Sequence, residues 1–219
     1  MKRVNVIATL LMLCMSLATA NAQQHPIDIS AVVNSNWCTF PGVVNCLTFP
    51  FGTQKFDGVT FDIPGSVNTN NVWSAHEAAG EGSGQVSITI PVNVANVRTV
   101  YTLMDTYWGS TQSGLLSVTF TGTNDATWTY ELLGNVDIRD NNNGSKTNSI
   151  DCRLPGGVHQ AGTINAWTNG QGQRLDMQVF ALPASFKTET LLSITITDNG
   201  APLVQRSLLA AVTVSTRVP

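Results

Sequence analysis

Six side chains frame the chemistry this sequence could perform. Trp73, Asp105, Tyr107, Trp108, Arg139 and Trp167 combine flat rings with a carboxylate and a guanidinium. Sugars present apolar C–H faces rimmed by hydroxyls, so rings beside hydrogen-bonding groups suit them. Trp73, Tyr107, Trp108 and Trp167 are the expected stacking surfaces, with Asp105 and Arg139 as polar partners. Each indole also has a structural alternative, packing in the core or as a lid. Trp128, which alternates with Tyr130 and Leu132, and Trp37, beside Cys38, are read that way.

Catalytic alternatives are thinner. Glycoside hydrolysis needs only two facing acids, and Asp105, Glu131, Asp137 and Asp176 sit in or at the ends of strands. Their competing role is as solvated strand ends or turn caps. His76-Glu77-Ala78-Ala79-Gly80 opens like a zinc-protease helix but lacks the second histidine. Gly80-Glu81-Gly82-Ser83-Gly84 leads into a strand, where a phosphate-cradling loop must lead into a helix. No catalytic residue and no metal ligand is assigned. Asp137-Ile138-Arg139-Asp140-Asn141-Asn142-Asn143-Gly144 offers the oxygens calcium takes, without the spacing of the twelve-residue calcium loop. No cofactor is expected, and a structural calcium there is the one metal left open. Asp137 and Arg139, two apart on one strand face, are expected to pair.

The elements that must position these groups are short strands. Leu116, Val118 and Phe120 alternate with Ser117, Thr119 and Thr121; Leu192, Ile194 and Ile196 alternate with Ser193, Thr195 and Thr197. Successive strand side chains point to opposite faces, so each segment has one dry and one wet side. Strands are predicted near 85–94, 97–105, 115–121, 127–138 (bent at Gly134), 163–167, 174–182, 191–197 and 207–214, with a helical turn in 183–190. Such a series describes an all-β, antiparallel sandwich with long connecting loops. Loops 65–84, 105–114 and 140–162 are expected to gather at the recognition end. The predicted organisation is a signal peptide over 1–22, a lead-in over 23–47 and the sandwich over 48–219.

The leader has Lys2 and Arg3, an apolar stretch from Val4 to Leu17, and Ala20-Asn21-Ala22 before the cleavage point. Its apolar stretch is too short for a membrane anchor. The chain is therefore expected outside the cytoplasm, secreted or periplasmic. Charged residues make up 11% of the sequence, the net charge is −3, and no basic run occurs. That balance excludes nucleic acid and anionic membrane as partners, which need clustered Lys and Arg. Cys38 and Cys46 flank the turn signal Pro41-Gly42 and are expected to form a disulfide, leaving Cys152 buried or bridging chains. The rival arrangement joins Cys152 to one of the two early cysteines.

The run Val100-Tyr101-Thr102-Leu103-Met104-Asp105-Thr106-Tyr107-Trp108-Gly109, with Gly134-Asn135-Val136-Asp137-Ile138-Arg139-Asp140, resembles secreted bacterial domains of the galactose-binding-like, discoidin-type group. Arg174-Leu175-Asp176-Met177-Gln178, Leu182-Pro183 and Leu192-Ser193-Ile194-Thr195-Ile196-Thr197-Asp198 continue the pattern. Gly58-Val59-Thr60-Phe61-Asp62-Ile63 resembles the strand that opens such modules. The resemblance spans roughly Phe49 to Val214 and implies a jelly roll of the kind found in many carbohydrate-binding modules, with a glycan or matrix component as partner. It supplies no established ligand residue, and the chain is expected to stand alone, without the catalytic domain such modules usually accompany, which counts against an enzyme-targeting module. The leading expectation is thus a non-catalytic glycan-binding protein. A self-associating matrix or surface component is the second, with Cys152 as its interchain bridge, and a small two-acid glycan hydrolase the third.

Overall fold

The last strand is apolar or small almost throughout, and it is buried along its whole length. A strand covered on both faces reads that way, and the layering shows why. The structure, a computed structural model, describes residues 22–40, 46–75, 84–142, 153–154, 158–159, 162–200 and 205–216. Its strands are β1 Gln23–Ile27, β2 Gly52–Phe56, β3 Val59–Ile63, β4 Trp73–Ser74, β5 Val86–Ala95, β6 Val97–Tyr107, β7 Leu116–Gly122, β8 Thr127–Leu132, β9 Arg153–Leu154, β10 Val158–His159, β11 Gly162–Thr168, β12 Arg174–Ala181, β13 Thr190–Asp198 and β14 Arg206–Thr216. The short turn predicted in 183–190 is a 3-10 helix, Ala184–Thr188.

The protein is an antiparallel β-sandwich. One sheet runs β1-β14-β6-β12-β11, with β4 also paired to β14; the other runs β5-β13-β7-β8. From β5 onward, the chain changes sheet between β5 and β6, β6 and β7, β8 and β11, β12 and β13, and β13 and β14. β1 and β4 share one edge of β14 in series, β1 opposite Val212–Thr216 and β4 opposite Leu208–Leu209. The predicted lead-in therefore contributes a strand to the main sheet, and the long loop after Gly65 contains β4.

Two apolar layers follow. The inner one lies between the sheets and takes Ile88, Ile90, Val100, Met104, Val118, Phe120, Ile194, Ile196, Val212 and Val214. The outer one covers the far face of the larger sheet, where Trp37, Phe40, Phe49, Phe61 and Ile63 meet Leu103, Tyr107, Leu175, Met177 and Leu208. Strand β3 lies against β14 and β1, so the β2–β3 hairpin and the segment around Trp37 form a third layer. A register shift between Leu209 and Ala211 lets β14 serve both cores. One extra residue flips the alternation, so Leu209 and then Val212 and Val214 face inward while Leu208, Ala210 and Ala211 face outward.

The strand predicted over 127–138 ends at Leu132. Gly134 turns the chain instead, because its backbone lies against the carbonyl of Ser110, where a Cβ would sit 1.8 Å from that oxygen. Cys38 and Cys46 form a disulfide, with Cα atoms 5.2 Å apart. Cys152 and the histidine-glutamate and glycine-rich motifs of 76–83 lie outside the described residues.

Candidate functional site

The end of the sandwich that carries the predicted site is built where β6 and β12 separate. Their ladder stops at Leu103 opposite Met177. Beyond it, residues Arg139–Asn141 wedge between the two strands and supply partners for freed backbone groups. The Thr106 amide donates to the Arg139 carbonyl, the Asn141 amide to the Thr106 carbonyl, and the Arg174 amide to the Asn141 carbonyl. The amide of Asp176 donates to a carboxylate oxygen of Asp105 at 3.2 Å. Arg139 in turn grips the Asp176 carboxylate with two donors, at 2.7 and 2.5 Å. Arg139 thus pairs with Asp176 rather than with Asp137, whose carboxylate caps the Leu133 amide at 2.9 Å.

Asp105 is wholly buried. Burial, and secondarily the neighbouring Asp176 carboxylate, pushes its pKa well above the ordinary value, against the pull of the Asp176 amide and Arg139. Its second oxygen has no hydrogen-bond partner among the described residues. A protonated carboxyl group is the stable form in such a place. Asp105 and Asp176, two of the four acids considered for glycoside hydrolysis, are neighbours, but neither reaches solvent, so they cannot flank a glycosidic bond. Glu131 stands exposed on β8. Both oxygens of Asp140 serve backbone amides, of Gly109 at 2.8 Å and Asn142 at 2.9 Å; burial raises the pKa of this acid as well. Among the described residues no three acidic, His or Cys side chains gather as metal ligands.

The six predicted ligand residues fall into two groups. Trp73 is 4% exposed and packs in the inner core, paired through β4 with Leu209. Asp105, Tyr107 and Arg139 are buried too. None of these four presents a surface to a ligand, because the larger sheet is covered on both faces. Trp108 and Trp167 remain half-exposed. They stand at the two ends of one chain of ring contacts in the outer layer: Trp108 on Tyr107 at 5.4 Å, Tyr107 on Phe40 at 5.0 Å, Phe40 on Trp37 at 6.4 Å, Trp37 on Phe49 at 5.0 Å, and Phe49 on Trp167 at 5.9 Å. Trp108 has a φ of +51°. Bulky residues seldom adopt that left-handed conformation, and it persists only where the surroundings dictate it. Here Asp140 anchors the next amide, Gly109, and Tyr107 supports the ring.

A second surface comes from register. On the outward face of the smaller sheet Thr89, Thr195, Thr119 and Thr129 stand side by side across β5, β13, β7 and β8. Their hydroxyls bond in pairs, Thr89 with Thr195 at 3.0 Å and Thr119 with Thr129 at 2.9 Å. Flanking rows hold Ser87, Thr197 and Ser117 on one side and Ser193, Thr121 and Thr127 on the other. Alternation identified the members on β7 and β13 as a wet face; only strand pairing lines them up with those of β5 and β8. A shallow cleft of about 10 Å3 opens at the β8 side of the sandwich, lined chiefly by Tyr130, Leu132, Asp137, Gln178 and Phe180. Ligand pockets usually enclose roughly 300–1,000 Å3, so this one is small. No protein-family model matches the chain, and no curated protein is similar to it.

Proposed function

We propose that the protein is an exported, non-catalytic binding protein whose aromatic rim, at Trp108 and Trp167, takes the flat faces of neutral glycan rings. The observation that carries this reading is the placement of Trp108: left-handed at φ +51°, half-exposed, and seated on a buried tyrosine. A ring held in that way is a preorganised platform, and a fixed surface loses little freedom when a sugar docks. Trp167, backed by Phe49, offers the same arrangement on β11. The scarcity of charge in the chain, 11% of residues, favours a neutral ligand. The resemblance to galactose-binding-like modules points the same way. Burial of Asp105 and Asp176 supports the non-catalytic part of the reading, and the disulfide agrees with export to an oxidising compartment.

Affinity electrophoresis and pull-down against a panel of soluble and insoluble neutral polysaccharides test the proposal. Trp108→Ala and Trp167→Ala should each weaken binding about tenfold, the loss of one stacking contact of about 1.4 kcal/mol. Circular dichroism verifies that each variant is folded. Unchanged binding in both variants, or no binding by the unaltered protein across the panel, removes the assignment.

A further inference from the structure

Strand β8 is the outer member of its sheet, and its backbone orientation can be worked out from the hairpin that leads into it. The Gly122 amide donates to the Ala126 carbonyl at 2.7 Å, so that pair is a hydrogen-bonded one. In an antiparallel ladder such pairs recur at every second residue. With Phe120 opposite Trp128 and Val118 opposite Tyr130, Trp128, Tyr130 and Leu132 turn their amides and carbonyls toward β7. Thr127, Thr129 and Glu131 turn theirs away from the sheet, and all three residues are exposed.

An edge of this kind is a template for another strand unless something blocks it. Among the described residues, the other end strands of the two main sheets are interrupted: β1 by Pro26, β5 by Pro91 and the left-handed Asn93, β11 by a bulge between Asn165 and Trp167. β8 has no proline, no lysine and no register shift.

The sequence of β8 also selects its partner. We infer that β8 is a dimerisation edge, at which two copies of the chain pair their β8 strands antiparallel about a two-fold axis through Thr129. Counting outward from that axis, Thr129 meets Thr129, Thr127 of each copy meets Glu131 of the other, and Trp128 of each meets Tyr130 of the other. Thr–Thr and aromatic pairs are favourable cross-strand contacts, and a hydroxyl beside a carboxylate can donate to it. An axis through Glu131 would instead set two carboxylates face to face. The threonine row on the outward face, ending in the Thr119–Thr129 hydrogen bond, would then run unbroken from one copy into the next. On the inward side the added strand would bring its Trp128 over the cleft beside Tyr130 and Phe180. Such a contact is isologous and closes as a dimer. It does not depend on glycan binding or on any cysteine.

Thr129→Pro is the decisive variant, because its amide points away from β7: the substitution removes a backbone donor the dimer uses and none that the ladder with β7 uses, giving up within the sheet only the exposed Thr119–Thr129 hydroxyl contact. Thr129→Lys, which sets like charges against each other on the axis, is the second. Sedimentation and light scattering of the purified protein should show a concentration-dependent dimer, and both variants should have half its mass. Hydrogen exchange adds a residue-level readout: amides of Thr127, Thr129 and Glu131 should slow as concentration rises, while those of Trp128 and Tyr130 are slow throughout. A monomer at every concentration overturns the inference, and so does a dimer that folded Thr129→Lys leaves intact. Either result is separate from the polysaccharide assay, which reads Trp108 and Trp167.

Discussion

Asp105 shows how far one buried carboxyl group can bend the pH behaviour of the chain. Its pKa is raised in the folded protein, first by burial and then by Asp176, whereas the unfolded chain titrates it near the ordinary value of 3.8. Above about pH 4 the unfolded state has released a proton that the folded state still holds, so this group's contribution to stability falls as pH rises toward its native pKa. Asp105→Asn keeps an acceptor for the Asp176 amide and removes the titration. The variant should match or exceed the parent in urea midpoint at pH 7, and its stability should vary less between pH 4 and pH 7. A variant that loses more stability at pH 7 than at pH 4 would contradict the assignment of a protonated Asp105. Nothing in the local sequence distinguishes Asp105 from a solvated strand-end acid. Its burial depends on Arg139–Asn141, more than thirty residues later in the chain, which close the gap between β6 and β12.

At the scale of elements, the turn after β8 is held by close backbone approach. A methyl group on Gly134 would stand 1.8 Å from the Ser110 carbonyl oxygen, itself part of a backbone that cannot swing away like a side chain. Gly134→Ala should therefore cost about 1–3 kcal/mol, the usual range for forced overpacking, read as a lower urea midpoint with an unchanged slope. Gly84→Ala is the matched control, since a Cβ there meets nothing within 4 Å, and its effect should stay within about 0.5 kcal/mol. Equal effects at the two glycines would show that the contact with Ser110 is not the cause. The sequence marks Gly134 as an irregularity in a strand pattern, which is sound as far as it goes. Whether a glycine bends a strand or ends it depends on what lies opposite, and here that is the loop after β6.

For the whole molecule, the outer layer is the part with a covalent clip. Cys38 and Cys46, eight residues apart in sequence, are bridged beside the aromatic rings that cover the larger sheet. Loop-closure entropy gives such a bridge about 2–3 kcal/mol. Cys38→Ser should lower the urea midpoint accordingly. Hydrogen exchange should then accelerate first in residues 34–40 and 46–51, while β7 and β13, which form the centre of the smaller sheet, stay protected. Uniform acceleration across both sheets would mean that the outer layer and the sandwich open as one unit.

Period-two alternation was enough to predict most of the strands and the sandwich, because it depends only on neighbours in the chain and on each strand having a dry side. Proximity of Cys38 and Cys46 across a turn was likewise local. Alternation cannot say whether a strand's other side is covered, since that depends on distant segments folding back. Here the lead-in and the β2–β3 hairpin cover the outer face of β6, β12 and β14, and this alone places Asp105 and Tyr107 inside while leaving Trp108 and Trp167 at the rim. Strand order did the rest: it set four threonines in a row and left β8 at an open edge, neither of which any one strand's sequence contains.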